Sequence, residues 1–244
     1  MLYNTVKQKL LDGKPVIGAT VHSPDPDLCR AVAGAGFDFL WIEMQHSPLA
    51  FDDAAKIIWA SRGNPAIPFI RVPDATEGDI QKAVDVGALG IVVPMVDAAE
   101  KARAAVRFAK YPPLGRRSSG NSQAKPLWGD DYRDTANDNI IVVAMIETPE
   151  GVAVADKIAA VEGIDVVFAA SSDLASFSGY RQGQPAYEAM VARIHDTALS
   201  AGKRLGGPLS WRDRPGFSFF QGPAEAALIR NGASLIWPDV SVAR

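Results

Sequence analysis

The chain has 244 residues, enough for one domain with a large buried core, and 48% of them are hydrophobic while 22% are charged. Its net charge of −3 provides no basic surface for nucleic acid or anionic lipid, and its single cysteine, Cys29, excludes an intramolecular disulfide. The amino terminus has no apolar run of the secretory type, and the apolar run at 90–96 is too short to cross a bilayer. We therefore expect a cytoplasmic protein with no nucleic-acid or membrane partner.

Short runs rich in β-branched residues alternate along the chain with longer segments of helical period. This alternation is typical of βα units arranged around a parallel sheet. We predict eight strands, in chain order 15–21, 37–44, 67–72, 90–95, 140–146, 164–170, 204–208 and 234–237. The predicted helices between them are 51–62, 78–86, 98–109, 151–161, 187–201 and 223–231.

Eight strands in this length favour a closed (β/α)₈ barrel (TIM barrel), a single domain over residues 1–244, rather than an open doubly wound sheet. A nucleotide-binding sheet would also need a G-x-G-x-x-G turn after its first strand, and this chain has ATVHSPDP there. In a barrel the chemistry lies at the carboxyl ends of the strands. The polar residues at those positions are His22, Glu43, Gln45, His46, Arg71, Glu147 and Asp173.

Glu147 and Asp173 follow the fifth and sixth predicted strands. Neighbouring strands lie about 4.8 Å apart, so both carboxylates can reach one ion. Two carboxylates with open coordination positions suit Mg²⁺ or Mn²⁺ better than zinc. The alternative is that each residue caps a helix.

Arg71 stands in the buried strand FIRVP, where a guanidinium needs a partner. It could bind a carboxylate or enolate oxygen of a substrate, or form a structural ion pair with Glu43 or Asp85. His46 is a candidate general base, although a lone histidine is more often structural. His22 faces the same end of the barrel, or only shapes a turn.

An imine mechanism needs a lysine inside the barrel near a strand end. Lys14 and Lys203 precede strands, at the other end, and the lysines at 56, 82, 101 and 157 fall on predicted helices. The sequence therefore argues against a Schiff-base aldolase.

Five ordered segments between about residues 15 and 207 resemble the HpcH/HpaI-type class II pyruvate aldolases, which use a divalent cation. FDFLWIEMQHSPLAFDD resembles the family's second strand and histidine loop, and PFIRVP its arginine strand. DVGALGIVVPMVDAAEKARAAVRFAKYPPLGRRSSG is similar to its D-x-G-A…P-M-V…Y-P-P-x-G-x-R stretch. MIETPEGV and EGIDVVFAASSDLASFSGY resemble the strands that carry the metal-binding glutamate and aspartate.

The resemblance implies a metal (Mg²⁺, Mn²⁺ or Co²⁺) bound by Glu147 and Asp173 and chelated by the keto acid. It implies that backbone N–H groups around Ser172 and Asp173 hold the substrate carboxylate, and that Arg71 donates to the enolate oxygen.

The same resemblance implies that His46, oriented by Asp85, moves the proton of the aldol hydroxyl. It also gives Glu43 and Gln45 supporting positions beside the site. Arg117 falls on a loop arginine that could reach a neighbouring subunit.

The implied function is reversible cleavage of a 4-hydroxy-2-oxo acid to pyruvate, or a close analogue such as hydroxypyruvate, and an aldehyde. Decarboxylation of oxaloacetate, or another condensation of the same enolate, is the alternative, and a non-catalytic barrel that binds a keto acid is a third. The retained His46 and Asp85 argue against the third, because binding alone requires no proton shuttle.

Several features depart from the family pattern. Gln45 stands where glutamate is usual, Ala170 and Ser171 where Gly-Pro is usual, and Met145 where glutamine is common. Residues 209–219 resemble an aromatic-rich insertion after the seventh strand. We expect it to overhang the barrel mouth and narrow the aldehyde pocket, the alternative being packing on the barrel wall.

The family implies a homo-oligomer, a hexamer, in which a C-terminal helix is exchanged between subunits. With the eighth strand placed at 234–237, little chain remains for that helix, which weakens the hexamer prediction.

Overall fold

The computed structural model describes residues 3–120 and 123–237, which form a closed barrel of eight parallel strands. Each strand pairs with the next along the chain, and the last pairs with the first. The strands are β1 (Val16–Val21), β2 (Phe39–Glu43), β3 (Ile67–Arg71), β4 (Gly90–Val93), β5 (Ile141–Ile146), β6 (Val166–Ala169), β7 (Arg204–Pro208) and β8 (Phe217–Ala224). The predicted (β/α)₈ barrel is confirmed.

Helices connect the strands across the outside of the barrel, and several begin at a side chain that caps the first turn. Asn4, Asp25, Thr76 and Thr148 each accept a hydrogen bond from a backbone N–H three residues later. The helices are α1 (Thr5–Leu11), α2 (Pro26–Gly34), α3 (Phe51–Ala60), α4 (Glu77–Asp85), α5 (Ala99–Ala109), α6 (Ala124–Trp128), α7 (Tyr132–Asn139), α8 (Pro149–Ala153), α9 (Ala155–Ala159), α10 (Ser171–Ser178), α11 (Pro185–Ser200) and α12 (Glu225–Ile236).

The predicted eighth strand is wrong. Residues 234–236 belong to α12, and the strand that closes the barrel is β8, Phe217–Ala224. The short apolar run SLIW resembles a strand, but it only continues the helical segment that begins at Glu225. A full helix therefore follows the eighth strand, and the reason for doubting the C-terminal helix disappears.

The segment 209–219 is not an insertion over the barrel mouth. Leu209–Trp211 forms a short 3₁₀ helix after β7, and Phe217 already belongs to β8. Trp211 is buried and packs edge-on against Phe217, with ring centroids 5.4 Å apart. A Cβ on Gly207, which points out of the barrel, would meet both rings, so these aromatics pack on the outer wall.

A layer of phenylalanine rings fills the part of the barrel interior that lies nearer the amino ends of the strands. Phe39 lies 4.8 Å from Phe69 and 4.6 Å from Phe219, and Phe168 meets Phe219 edge-on at 6.3 Å. Gly90 faces this layer, and the Phe69 ring occupies the space that a Cβ there would need. Successive side chains alternate between the two faces of a strand. The residues two and four positions after each member of this layer therefore also face the interior, nearer the mouth at the carboxyl ends of the strands.

Among the helices of residues 3–120 and 123–237, none combines the length and the apolarity that a bilayer crossing requires.

Candidate active site

One side of the barrel mouth holds a pair of carboxylates that follow two adjacent strands. Glu147 directly follows β5, and Asp173 lies in the first turn of α10, just after β6. Glu147 is 1% exposed; its Oε1 accepts a hydrogen bond from the backbone N–H of Met95, whereas its Oε2 is buried with no hydrogen-bond partner among the described residues. Burial raises the pKa of Glu147, opposed by the Met95 hydrogen bond and reinforced by the negative charge of Asp173.

Neither carboxylate acts as a helix cap. Thr148 is the N-cap of α8, and its hydroxyl accepts from the N–H of Gly151 at 3.0 Å. The N-cap of α10 is Ala170, whose side chain cannot accept a hydrogen bond. The capping interpretation is therefore wrong for both residues.

This carboxylate pair fits a hard divalent cation. Its donors are oxygens, one of them buried and unpaired, and a cation would offset both the burial and the repulsion from Asp173 that raise the pKa of Glu147. Within residues 3–120 and 123–237 no group of three or more His, Cys, Asp or Glu side chains is placed to hold a metal. Two protein ligands would leave coordination positions for substrate and water.

The amino end of α10 offers backbone donors beside the pair. The first hydrogen bond of this helix runs from Leu174 N–H to Ala170 O, at 3.1 Å. The N–H groups of Ser172 and Asp173 lie in the preceding turn and have no acceptor within the helix. A helix amino terminus favours an anion, so these groups can receive a substrate carboxylate.

Met95 holds Glu147 through an unusual backbone conformation. Its φ is +53°, in the left-handed region that residues other than glycine rarely occupy. In this conformation its N–H donates to Glu147 Oε1. No sequence signal pointed to Met95, because what it contributes to the site is a backbone N–H and not a reactive side chain.

Arg71 and Glu43 form an ion pair on the other side of the mouth. They stand opposite each other in the register of β2 and β3, and Nε and Nη2 of Arg71 lie 2.6 and 2.5 Å from Glu43 Oε2. Trp41 Nε1 also donates to Oε2, at 3.2 Å. Burial by itself raises the pKa of Glu43, but the hydrogen bonds and charge of Arg71 outweigh it and hold the pKa below its ordinary value.

The structure therefore contains the ion pair between Arg71 and Glu43 that the sequence analysis gave as the structural alternative. It engages Nε and Nη2 and leaves Nη1 without a hydrogen-bond partner among the described residues. The guanidinium lies 5.7 Å from the centre of the Trp41 ring, so its plane is held from two sides.

The loop after β2 carries Gln45 and His46 to the rim. Their backbone N–H groups donate to Glu43 Oε1 at 2.8 and 2.9 Å, and Ser47 Oγ donates to Glu43 O. The His46 side chain is exposed, free to meet a substrate. Gln45 Oε1 is buried without a hydrogen-bond partner among the described residues.

Asp85 is not brought to His46 within this chain. It is the last residue of α4 and therefore lies at the amino end of the strands, opposite the mouth. There it accepts a hydrogen bond from Arg117 Nη2 at 2.6 Å, and Arg117 Nη1 donates to Tyr132 Oη at 2.8 Å. Burial raises the pKa of Asp85, although Arg117 opposes this. Within one subunit Asp85 is therefore not placed beside His46, and Arg117 is also away from the mouth.

The lysines lie where the sequence indicated, on helices or before strands. Lys110, not considered from the sequence, is buried, and burial lowers its pKa to about 8. It follows α5, so it also lies at the amino end of the barrel, where Nζ donates to Asn137 O at 2.7 Å and to Ile140 O at 2.5 Å. It is a structural ammonium, remote from the mouth.

A second polar pair at the mouth was missed by the sequence analysis. Glu225, the first residue of α12, accepts the backbone N–H of His22 at 2.8 Å, and its other oxygen lies 3.4 Å from His22 Nδ1. The misplaced eighth strand put residue 225 on a helix before a strand and hid this contact. The FSFF alternation at residues 217–220 was the available signal.

Comparison with known proteins gives one family. Residues 17–208 match the model of the HpcH/HpaI aldolase/citrate lyase family. A hydroxypyruvate/pyruvate aldolase of Rhizorhabdus wittichii is 34% identical over 207 residues, 83% of this chain and 82% of that protein. A 2-dehydro-3,6-dideoxy-6-sulfogluconate aldolase of Pseudomonas putida is 35% identical over 195 residues, 79% of this chain and 76% of that protein.

The fold has a counterpart among solved structures. The crystal structure of an HpcH/HpaI aldolase/citrate lyase family protein from Burkholderia cenocepacia J2315 is similar, with a TM-score of 0.88 and 27% identity. The likeness covers 97% of this chain and 98% of that one.

Proposed function

Because the chain belongs to the HpcH/HpaI aldolase/citrate lyase family, we propose that it is a class II aldolase that cleaves 4-hydroxy-2-oxo acids reversibly to pyruvate, or hydroxypyruvate, and an aldehyde. It is thus a carbon–carbon lyase. The observation that carries the proposal is the buried carboxylate pair, with its unpaired oxygen, at the barrel mouth of a chain whose relatives are named as aldolases.

The family is divalent-metal dependent, and Glu147 and Asp173 are the residues that would hold the cation here. When bound, Mg²⁺, Mn²⁺ or Co²⁺ supplies Lewis-acid polarisation of the keto oxygen. Glu147 is prepared for this task because Met95 fixes one of its oxygens and leaves the other unpaired.

The other groups at the mouth bind and orient the keto acid. The N–H groups of Ser172 and Asp173 receive its carboxylate at the amino end of α10. Arg71 donates from Nη1 to the keto oxygen, where negative charge develops as the carbon–carbon bond breaks. Glu43 fixes the direction of this donor through the ion pair with Arg71.

His46 is the general base that takes the proton from the aldol hydroxyl in the cleavage direction and returns it in synthesis. Two facts support the assignment. The side chain is exposed at the rim of the mouth, and its backbone is fixed by the hydrogen bond from its N–H to Glu43.

We also infer a single-domain subunit of a homo-oligomer. Along α12 only Glu225 is buried, while Ile229, Leu235 and Ile236 are 60%, 84% and 86% exposed. Exposed large apolar side chains gathered on one helix are typical of a protein interface. The hexamer of the family is the assembly that we expect.

A direct test is aldol synthesis from pyruvate or hydroxypyruvate with a panel of aldehydes. Wild-type protein treated with a chelator should be inactive and should recover when Mn²⁺, Co²⁺ or Mg²⁺ is added. Undiminished activity in metal-free protein, or trapping of pyruvate on the protein by borohydride, would contradict the proposal. Release of pyruvate from oxaloacetate but not from any hydroxy-oxo acid would favour the decarboxylase instead.

A further inference from the structure

The wall of the mouth between β1 and β8 carries the His22–Glu225 pair, which the proposed mechanism does not use. Glu225 is 7% exposed, and its carboxylate makes two contacts with His22. The His22 side chain is 42% exposed, so part of its ring remains accessible. A buried acid that orients a half-exposed imidazole is an arrangement suited to contacting a ligand.

The alternation along β1, continued one residue past its end at Val21, predicts that His22 points inward. Gly18 faces the interior, because the ring of Phe39 occupies the space that its Cβ would need. Thr20 is buried two residues later, and its Oγ1 donates to Gly222 O at 3.2 Å. His22 is the next residue in the same alternation, so its side chain lies above Thr20 at the rim.

The wall below His22 is polar as well. Gln221 of β8 approaches Thr20 Oγ1 with its amide nitrogen at 3.5 Å, and it is only half-buried. On β4 and β5, by contrast, the inward-facing residues Val92 and Met145 are apolar. A hydroxyl, an amide and an imidazole therefore share the β1–β8 side of the mouth.

The β1–β8 wall stands across the mouth from the proposed keto-acid site. In a ring of eight strands β1 lies opposite β5, which precedes Glu147. Strands spaced about 4.8 Å apart and tilted by about 36° give a barrel roughly 15 Å across. With Arg71 and His46 between them on β3 and after β2, the space in front of His22 is where the aldehyde half of the substrate would extend.

We propose that His22, positioned by Glu225, is a specificity residue that hydrogen-bonds an oxygen on the carbon next to the aldehyde group. Glu225 engages Nδ1, and this fixes the ring with Nε2 toward the substrate. The inference rests on the proposed aldolase function and adds the residue that would distinguish 2-oxygenated aldehydes from alkyl aldehydes.

The test compares two acceptors of nearly equal size, glycolaldehyde and propanal, which differ by a hydroxyl in place of a methyl group. With pyruvate as donor, the wild type should favour glycolaldehyde in kcat/KM. His22→Ala should lower the glycolaldehyde-to-propanal ratio about tenfold, the contribution of one hydrogen bond at the upper end of its usual range. Glu225→Gln keeps an acceptor for the His22 backbone but not the charge, and should lower the ratio by a smaller factor.

His195→Ala serves as the matched control. His195 lies on α11 outside the barrel, beside Phe217, and its replacement should leave the ratio unchanged. An unchanged ratio in His22→Ala, or an equal fall with both aldehydes, would overturn the inference.

Exchange of pyruvate methyl protons with solvent, measured without aldehyde, separates this inference from the proposed function. Exchange should be equal in the wild type and in His22→Ala, because it requires only the keto-acid half of the site. Absence of metal-dependent exchange in the wild type would contradict the aldolase itself. Normal exchange with an unchanged aldehyde ratio would contradict only the role of His22.

Discussion

Arg71 and Glu43 face each other in the register of β2 and β3, and one carboxylate oxygen, Glu43 Oε2, receives both Nε and Nη2 of the guanidinium. The ion pair occupies Nε and Nη2 of the guanidinium and leaves Nη1 without a partner among the described residues. A lysine at this position would keep the positive charge. It could not pair with Glu43 through two nitrogens and also present a third in a fixed direction, because an ammonium group has no planar fork.

Arg71→Lys should therefore fold and bind metal but lose most aldol turnover. Loss of one donor to a developing oxyanion typically costs on the order of 10²–10³ in rate. Steady-state kinetics and pyruvate methyl exchange should fall together. Arg116→Lys is the matched control, because Arg116 is exposed and only pairs with Glu77. Exchange that survives while cleavage is lost would place Arg71 on the aldehyde half.

The Glu43 carboxylate should make the stability of the protein depend on pH. Its pKa is lowered in the folded state from a usual value of 4.5, so the folded protein binds this proton less readily than the unfolded chain. The resulting stabilisation is present above pH 4.5 and is lost as pH falls through the folded-state value. Urea unfolding of the wild type and Glu43→Gln should differ most near neutral pH and converge in acid. A constant difference down to acidic pH would contradict the ion-pair account.

His46→Ala should reduce aldol turnover by roughly 10²–10⁴, the usual contribution of a general base. Folding and metal binding should be retained, because the side chain is exposed and its backbone N–H still reaches Glu43. The measurement is kcat for cleavage, with calorimetric Mn²⁺ titration as the control. A rate near that of the wild type would transfer the base role to another group, with His22 the first to examine.

Trp211→Ala should destabilise the protein without altering the order in which aldehydes are used. The ring is 4% exposed, packs against Phe217 and lies 4.3 Å from the guanidinium carbon of Arg214. Removing a buried tryptophan side chain costs about 3–5 kcal/mol of unfolding free energy. Thermal unfolding and the aldehyde panel measure the two effects separately. A changed order of aldehydes with unchanged stability would indicate instead that Trp211 lines the aldehyde pocket at the mouth.

The sequence predicted the barrel because its signals are local. Most of the first seven strands are compact apolar runs, and the polar residues that follow them converge at one end for reasons of topology alone. The eighth strand was missed because its FSFF alternation lies close to loop residues, whereas SLIW, within α12, has the composition of a strand.

The sequence could not predict contacts that depend on the direction of a side chain or on backbone dihedral angles. Asp85 was placed beside His46 by motif, yet the end of α4 carries it to the opposite face and to Arg117. Glu225 and Met95 became visible only once the strand that precedes each was in place.

The central claim is that Glu147 and Asp173 hold a divalent cation that the keto acid shares. It is tested most directly by NMR measurement of the exchange of pyruvate methyl protons with deuterated solvent, with and without Mg²⁺. The wild type should exchange only with metal, while Glu147→Gln and Asp173→Asn, which keep size but remove charge, should bind Mg²⁺ weakly and exchange at the background rate. Metal-independent exchange in the wild type, or exchange at the wild-type rate in both variants, would contradict the account.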